Sequence, residues 1–313
     1  MIQRYYQFST SVNIPFSISC YSVDLLRFVE SYLKLQVTDR HAGYTFKVFS
    51  HENRSDSQDV GVLIEESQNS AVVFLEDSGN TSRYLLMRTI RHFIFKMLSK
   101  YGFVPVHASA VEVSGSGIAF VGDKRSGKTT SLLSCLRYGR ASFIANDAVF
   151  IGGEKGEYIL ASAPTSVGLR KNTLEAFGLG SIVGGEGAGH PDNQFASSLV
   201  EKIFVSQDLL CSAFSSGFKT SASLKAMVFP IYDSSVSSPS LVNVSATTHI
   251  EDFTNNILEI GDFDNSSFAL RNSLTWLNNN LFIDLSEIEC YTMLYNERCV
   301  GSIGTAIYSL CTE

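Results

Sequence analysis

The run Gly122-Asp123-Lys124-Arg125-Ser126-Gly127-Lys128-Thr129 sets two glycines, a lysine and a hydroxyl residue at the spacing of a phosphate-binding loop. Gly122 and Gly127 let the backbone curl with its N–H groups turned inward, where they need an anion. Lys128 offers a mobile ammonium to the β- and γ-phosphates of a nucleotide, and the Thr129 hydroxyl offers a ligand to a magnesium ion bridging them. Arg125 is a candidate for nucleotide or acceptor contact by its place in the loop. A glycine-rich turn with an incidental lysine is the plainer alternative, but the flanks argue against it. Ile118-Ala119-Phe120-Val121 reads as a short buried strand, and Thr130 to Leu136 as a helix whose unpaired N–H groups and positive end reinforce phosphate binding.

Asp147 follows 18 positions after Thr129, just past the apolar run Ala141-Ser142-Phe143-Ile144-Ala145. A carboxylate there suits a magnesium ligand, direct or through water, or simply a turn former. Asn146 beside it can orient a metal-bound water or a substrate hydroxyl, yet it cannot serve as a base at neutral pH. His107 carries the side chain most easily tuned near neutrality, so it can meet the transferring phosphoryl group or line a sheet edge. Arg170 or Lys171 can clamp phosphate or form an ordinary solvated pair.

The elements needed to position these groups are legible in outline. Val104 to Val113 reads as one strand, turned at Ser114-Gly115-Ser116-Gly117 into the strand that enters the loop. Two strands joined so closely must be antiparallel neighbours, which predicts a mixed sheet. Ala148 to Ile151 and Glu157 to Leu160 look like another hairpin. Val200 to Val205 reads as a strand, Lys225 to Pro230 as a strand or helix end, and Phe268 to Leu277 and Asp284 to Leu294 as helices. The glycine-dense stretch from 178 to 190 reads as a mobile loop, with Gly184 to His190 as a lid or an insertion without catalytic part.

Residues 1–98 read as an α+β module that could bind substrate or partner, and 99–313 as the catalytic domain. In the first, Phe16 to Cys20, Tyr44 to Phe49, Val60 to Ile64 and Ala71 to Leu75 have strand character, and Tyr21 to Lys34 is a helix or loop. His51 to Asp59 is a polar turn or mobile loop. Tyr84 to Tyr101 carries apolar residues at helical spacing, closed by Gly102 as a cap, and is expected to pack on the catalytic sheet.

Composition narrows the classes further. The chain has 313 residues, 44% of them apolar and 18% charged, with 22 Phe and 13 Tyr, which describes a folded globular protein. Its formal net charge is −7, and residues after 100 carry 13 Lys+Arg against 21 Asp+Glu, so no nucleic-acid partner is expected. No run approaches the roughly 20 apolar residues that cross a bilayer, and no targeting pattern opens the chain, which predicts no membrane partner and a cytoplasmic location. Six scattered cysteines lack metal spacing and read as reduced packing residues.

His107-Ala108-Ser109-Ala110-Val111, the glycine turn, Gly122 to Thr129 and Phe143-Ile144-Ala145-Asn146-Asp147 together resemble the catalytic domain of the HPr serine kinase/phosphorylase family. That core is also similar to phosphoenolpyruvate carboxykinase. The resemblance covers about 86 to 160 and implies an α/β fold with a mixed sheet, ATP bound by Gly122 to Thr130, Mg²⁺ held by Thr129 and Asp147, and homo-oligomers of unfixed number. In that family the strand-end pair is normally Asp-Asp, whereas this chain has Asn146-Asp147. The implied activity is transfer of the γ-phosphoryl group to a hydroxyl of a peptide, protein or small molecule, with His107, Arg125, Lys128, Asn146 and Asp147 as catalytic candidates. Alternatives are a nucleotide-binding regulatory protein without catalysis, or an ATP hydrolase.

Overall fold

The computed structural model describes residues 1–39, 43–50, 62–66, 70–75, 79–154, 156–162, 166–180, 202–259, 271–272 and 283–312. The expected lid at Gly184 to His190, the polar stretch His51 to Asp59 and nearly all of the expected helix Phe268 to Leu277 lie outside them. The architecture is mixed α/β with several sheets. Two compact units divide the chain, Met1–Leu98 with Ile260–Arg271, and Ser99–Glu259 with Asn272–Glu313.

The first unit is built on a six-stranded sheet. Its strands are β1 (Ile2–Ser9), β2 (Asn13–Cys20), β3 (Gln36–Val37), β4 (Thr45–Ser50), β5 (Val62–Glu66) and β6 (Ser70–Leu75), in spatial order β3-β1-β2-β4-β6-β5. Helix α1 (Val23–Leu33) connects β2 to its parallel neighbour β4, the crossover that a parallel pair requires. Ser22 caps it by accepting from the Leu25 N–H, and Leu25, Leu26, Val29 and Leu33 form its buried stripe. Helix α2 (Asn80–Lys100) corrects an expectation: Phe93 packs on Tyr44, Phe46 and Phe16 at centroid distances of 4.4, 5.2 and 5.7 Å, in the sheet of the first unit. Offset and edge contacts of this kind suit aromatic quadrupoles. Gly102 follows with φ +86 and ends the helix, as its position suggests.

The second unit surrounds a nine-stranded mixed sheet. Val104 to Val113 is not one strand but two, β7 (Val104–Val106) and β8 (Ala108–Val113), broken at His107. β8 pairs antiparallel with β9 (Ser116–Val121), and β10 (Ser142–Ala145) lies on its other side. β7 pairs instead with β11 (Val149–Glu154), the near half of a hairpin completed by β12 (Glu157–Ser162). Pro105 has no N–H to give a central ladder, which fits β7 to an edge. Because one residue links strands near opposite ends of the path, the sheet must curl there, and His107 occupies the bend.

β13 (Val167–Arg170) and β14 (Lys202–Val205) form a separate antiparallel pair. β15 (Ser221–Tyr232) is the sheet's central strand, parallel to β9 on one side. On its other side it pairs with β12 and then with β17 (Glu289–Tyr295), which in turn carries β16 (Ser240–Val244). The expected helix from Asp284 to Leu294 is therefore overturned: Leu285–Glu287 makes only one 3₁₀ turn, and Glu289 to Tyr295 runs as a strand that buries Cys290, Met293 and Tyr295. β9 alternates its faces, Ile118 and Phe120 entering one core and Ala119 and Val121 the other. α4 (Lys171–Ala176) and α5 (Gln207–Phe214) follow β13 and β14, and α6 (Ile250–Asn255) precedes β17.

Helix α3 (Lys128–Tyr138) follows the glycine loop and packs on α7 (Val300–Thr312). The two backbones approach so closely that a Cβ on Gly304 would lie 2.3 Å from the Ser134 carbonyl oxygen. Ser134 Oγ donates to the Val300 carbonyl at 2.6 Å and accepts the Gly304 N–H at 2.8 Å. This contact fixes the axis, and so the N-terminus, of α3. Among the described residues no helix is long and apolar enough to cross a membrane.

Candidate functional site

The loop between β9 and α3 takes its shape from three residues in the left-handed region: Gly122 (φ +146), Arg125 (φ +76) and Gly127 (φ +105). Arginine there is strained, and such strain persists only where neighbours hold it. One holder is Tyr295, at the end of β17, whose hydroxyl donates to the Ser126 carbonyl at 3.0 Å. A Cβ on Gly127 would fall 2.0 Å from that phenol oxygen, so Gly127 is needed for space as well as for its dihedral. Burial pushes the Tyr295 phenol up, keeping it a neutral donor.

Lys128 is the first residue of α3 and is buried. Its ammonium donates back to the Gly122 and Asp123 carbonyls at 2.5 and 2.9 Å. Burial lowers its pKa to about 8, with Asp147 and Asp123 opposing that effect and Lys202 adding to it. A dianionic ligand would offset the desolvated charge far better than two carbonyls do.

Asp147 stands after β10 with φ +65, a conformation that aspartate tolerates. Its carboxylate meets Lys202 at 3.9 Å. Asn146 is fully buried beneath it, its Oδ1 accepting from Ser109 at 2.8 Å and from the Thr129 hydroxyl at 3.2 Å. That bond ties the start of α3 to the end of β10. At the bend, His107 has its backbone N–H on the Asn256 carbonyl at 2.7 Å. Burial, followed by the positive charge of Lys128, lowers its imidazole pKa below the usual 6.5, and Asp147 opposes this.

These groups converge on a cleft of about 260 Å³. Lys124, Arg125, Gly127, Lys128, Thr129, Thr130, His107 and Asp147, all singled out in the sequence, line it. Gly122, Asp123 and Ser126 shape the loop without lining the cleft, and Asn146 supports from below. Arg170 lines it too, while Lys171 does not. Lys202 and Tyr295 were not anticipated; a basic residue in the strand 200–205 was the only signal for the first. Chemically, the cleft can hold a polyanion against cations and helix-start N–H groups, with a neutral imidazole and a carboxylate at hand.

No family model matches the chain, and no curated protein matches it. A solved structure of the Hpr(Ser) kinase/phosphatase from Coxiella burnetii aligns over 66% of this chain and 93% of its own, with 10% sequence identity and a TM-score of 0.32.

Proposed function

We propose that this protein is an ATP-dependent kinase that transfers the γ-phosphoryl group to a hydroxyl acceptor, on a catalytic core of the HPr kinase type. The carrying observation is the convergence of the 122–129 loop, the start of α3, Lys128, His107 and Asp147 on one cleft. Phosphoryl transfer asks mainly for positioning and charge stabilisation, which such a cleft supplies. The loop N–H groups and Lys128 would hold the triphosphate, and Arg125 would cover it. Thr129 and Asp147 fit a magnesium ion. No cluster of three or more His, Cys, Asp or Glu exists among the described residues, and magnesium commonly needs only one or two carboxylates besides phosphates and water. Bound there, it would neutralise charge on the phosphates.

The acceptor oxygen would bond to the γ-phosphorus as the bond to the β-phosphate oxygen breaks, its electron pair leaving with ADP. His107, neutral near pH 7 because its pKa is lowered, can take the hydroxyl proton. The test is incubation with γ-labelled ATP, magnesium and native cell extract, then mass spectrometry of whatever gains phosphate. A hydroxyl phosphoester is expected; release of inorganic phosphate alone would make the protein a hydrolase.

One observation favours a second reading, a nucleotide-binding regulator without transfer. Asn146 stands where a second acid is usual in the resembling family, and it engages the Thr129 hydroxyl that a metal would use. This reading expects Asn146→Asp to bind ATP unchanged, with no phosphorylated product from either form.

A further inference from the structure

The cationic lining of the cleft exceeds what a nucleotide alone accounts for. Lys124, Arg125, Lys128, Arg170 and Lys202 face the cleft, and Asp147 is the single carboxylate on it among the described residues. Two of these cations do not come from the loop. Arg170 and Lys202 are direct cross-strand partners on β13 and β14. Directly opposed like charges destabilise an antiparallel pair, so the arrangement is costly unless an anion sits between them. Their direction is set by strand alternation: Leu169 and Val205 are buried in the core, and Gly168, Arg170 and Lys202 line the cleft.

Gly168 makes room for this. A Cβ there would lie 3.1 Å from Lys202 Cδ and 3.0 Å from Phe204 Cε1, so the lysine stem crosses the bare glycine. Among the described residues Lys202 has one acidic partner, Asp147 at 3.9 Å, and Arg170 has none. If Asp147 is engaged by a metal, that restraint on Lys202 weakens as the cleft fills.

We propose that Arg170 and Lys202 form a second anion subsite, which recognises a carboxylate or phosphate carried by the acceptor beside its reactive hydroxyl. This rests on the kinase reading above, since the loop and Lys128 are taken by the nucleotide. The guanidinium fork pairs with either planar or tetrahedral oxyanions, and the lysine adds a point charge. The acceptor class is then a small hydroxylated acid or phosphate ester.

The experiment uses the full chain saturated with magnesium and a non-hydrolysable ATP analogue, titrated calorimetrically with glycerate, glycerol 3-phosphate and glycerol at matched ionic strength. At least one anion is expected to bind at least about tenfold more tightly than glycerol, the stronger arm telling carboxylate from phosphate. Arg170→Gln and Lys202→Gln are each expected to remove that preference while changing analogue affinity less than about threefold. Lys202→Arg should retain it. Relief of the opposed charges should leave the melting temperature of both Gln variants unchanged or higher. Anions that bind no better than glycerol while the analogue binds overturn this subsite alone. Variants that weaken analogue and anion alike reassign both residues to the nucleotide, and an analogue that does not bind overturns the kinase reading and the subsite with it.

Discussion

At His249 both ring nitrogens are occupied, Nδ1 by Asp252 Oδ2 at 2.6 Å and Nε2 by Thr292 Oγ1 at 2.7 Å, whereas His107 borders an open cleft beside Lys128, Asp147 and Lys202. The His249 ring also stacks on Phe229, 4.1 Å between centroids and 10° from parallel, and is 6% exposed. On paper the chain Asp252–His249–Thr292 looks more like catalytic machinery than anything around His107. Its geometry argues otherwise: both nitrogens and one face of that buried imidazole are taken, and the cleft lies elsewhere. A histidine beside an aspartate acquires a chemical role from what remains open to it, and a structural one when every bond is spent.

The sharpest contrast is expected from the loop. Lys128→Ala should lower phosphoryl transfer roughly 1,000-fold, about 4 kcal/mol, in a labelled-ATP assay. Folding should not suffer, because a desolvated ammonium is removed from a buried position. Unchanged transfer would remove the loop from the site.

Asp147→Asn comes next, with a loss of about 100-fold and a raised magnesium requirement, read from a metal titration. Asparagine tolerates the left-handed backbone at φ +65, so melting should barely move. The matching change at the other histidine, Asp252→Asn, should do the reverse: about 1–2 kcal/mol less stability in chemical denaturation, with transfer per folded molecule intact. A third expectation concerns pH. Lys128 is charged below its lowered pKa and neutral above it, so nucleotide affinity should fall as pH rises through about 8, by up to about tenfold per unit. The bound phosphates will move that point upward.

The same contrast shows what a sequence exposes. Residues 118–130 and 141–147 were readable because strand, turn and helix there follow one another locally, and the β8–β9 hairpin follows from its short turn. His107 was singled out, but its bend was hidden, since Val104 to Val113 is apolar enough on both sides of it to read as one strand and only long-range pairing splits it. Lys202 and Tyr295 reach the cleft through β14 and β17, whose partners lie far along the chain. Their positions are set by register, and no spacing near the loop encodes that. Asp284 to Leu294 holds both a single 3₁₀ turn, Leu285–Glu287, and strand β17, and it is the pairing with β15 and β16 that decides in favour of a strand.

The central claim is that the cleft around His107, and not the closed His249 cluster, performs phosphoryl transfer. Its most direct test compares His107→Gln with His249→Gln in transfer of label from γ-labelled ATP to acceptor, counted per folded molecule. The account predicts a loss of about 100-fold for His107→Gln and no change for His249→Gln. Equal losses in both, or full transfer by His107→Gln, would contradict it.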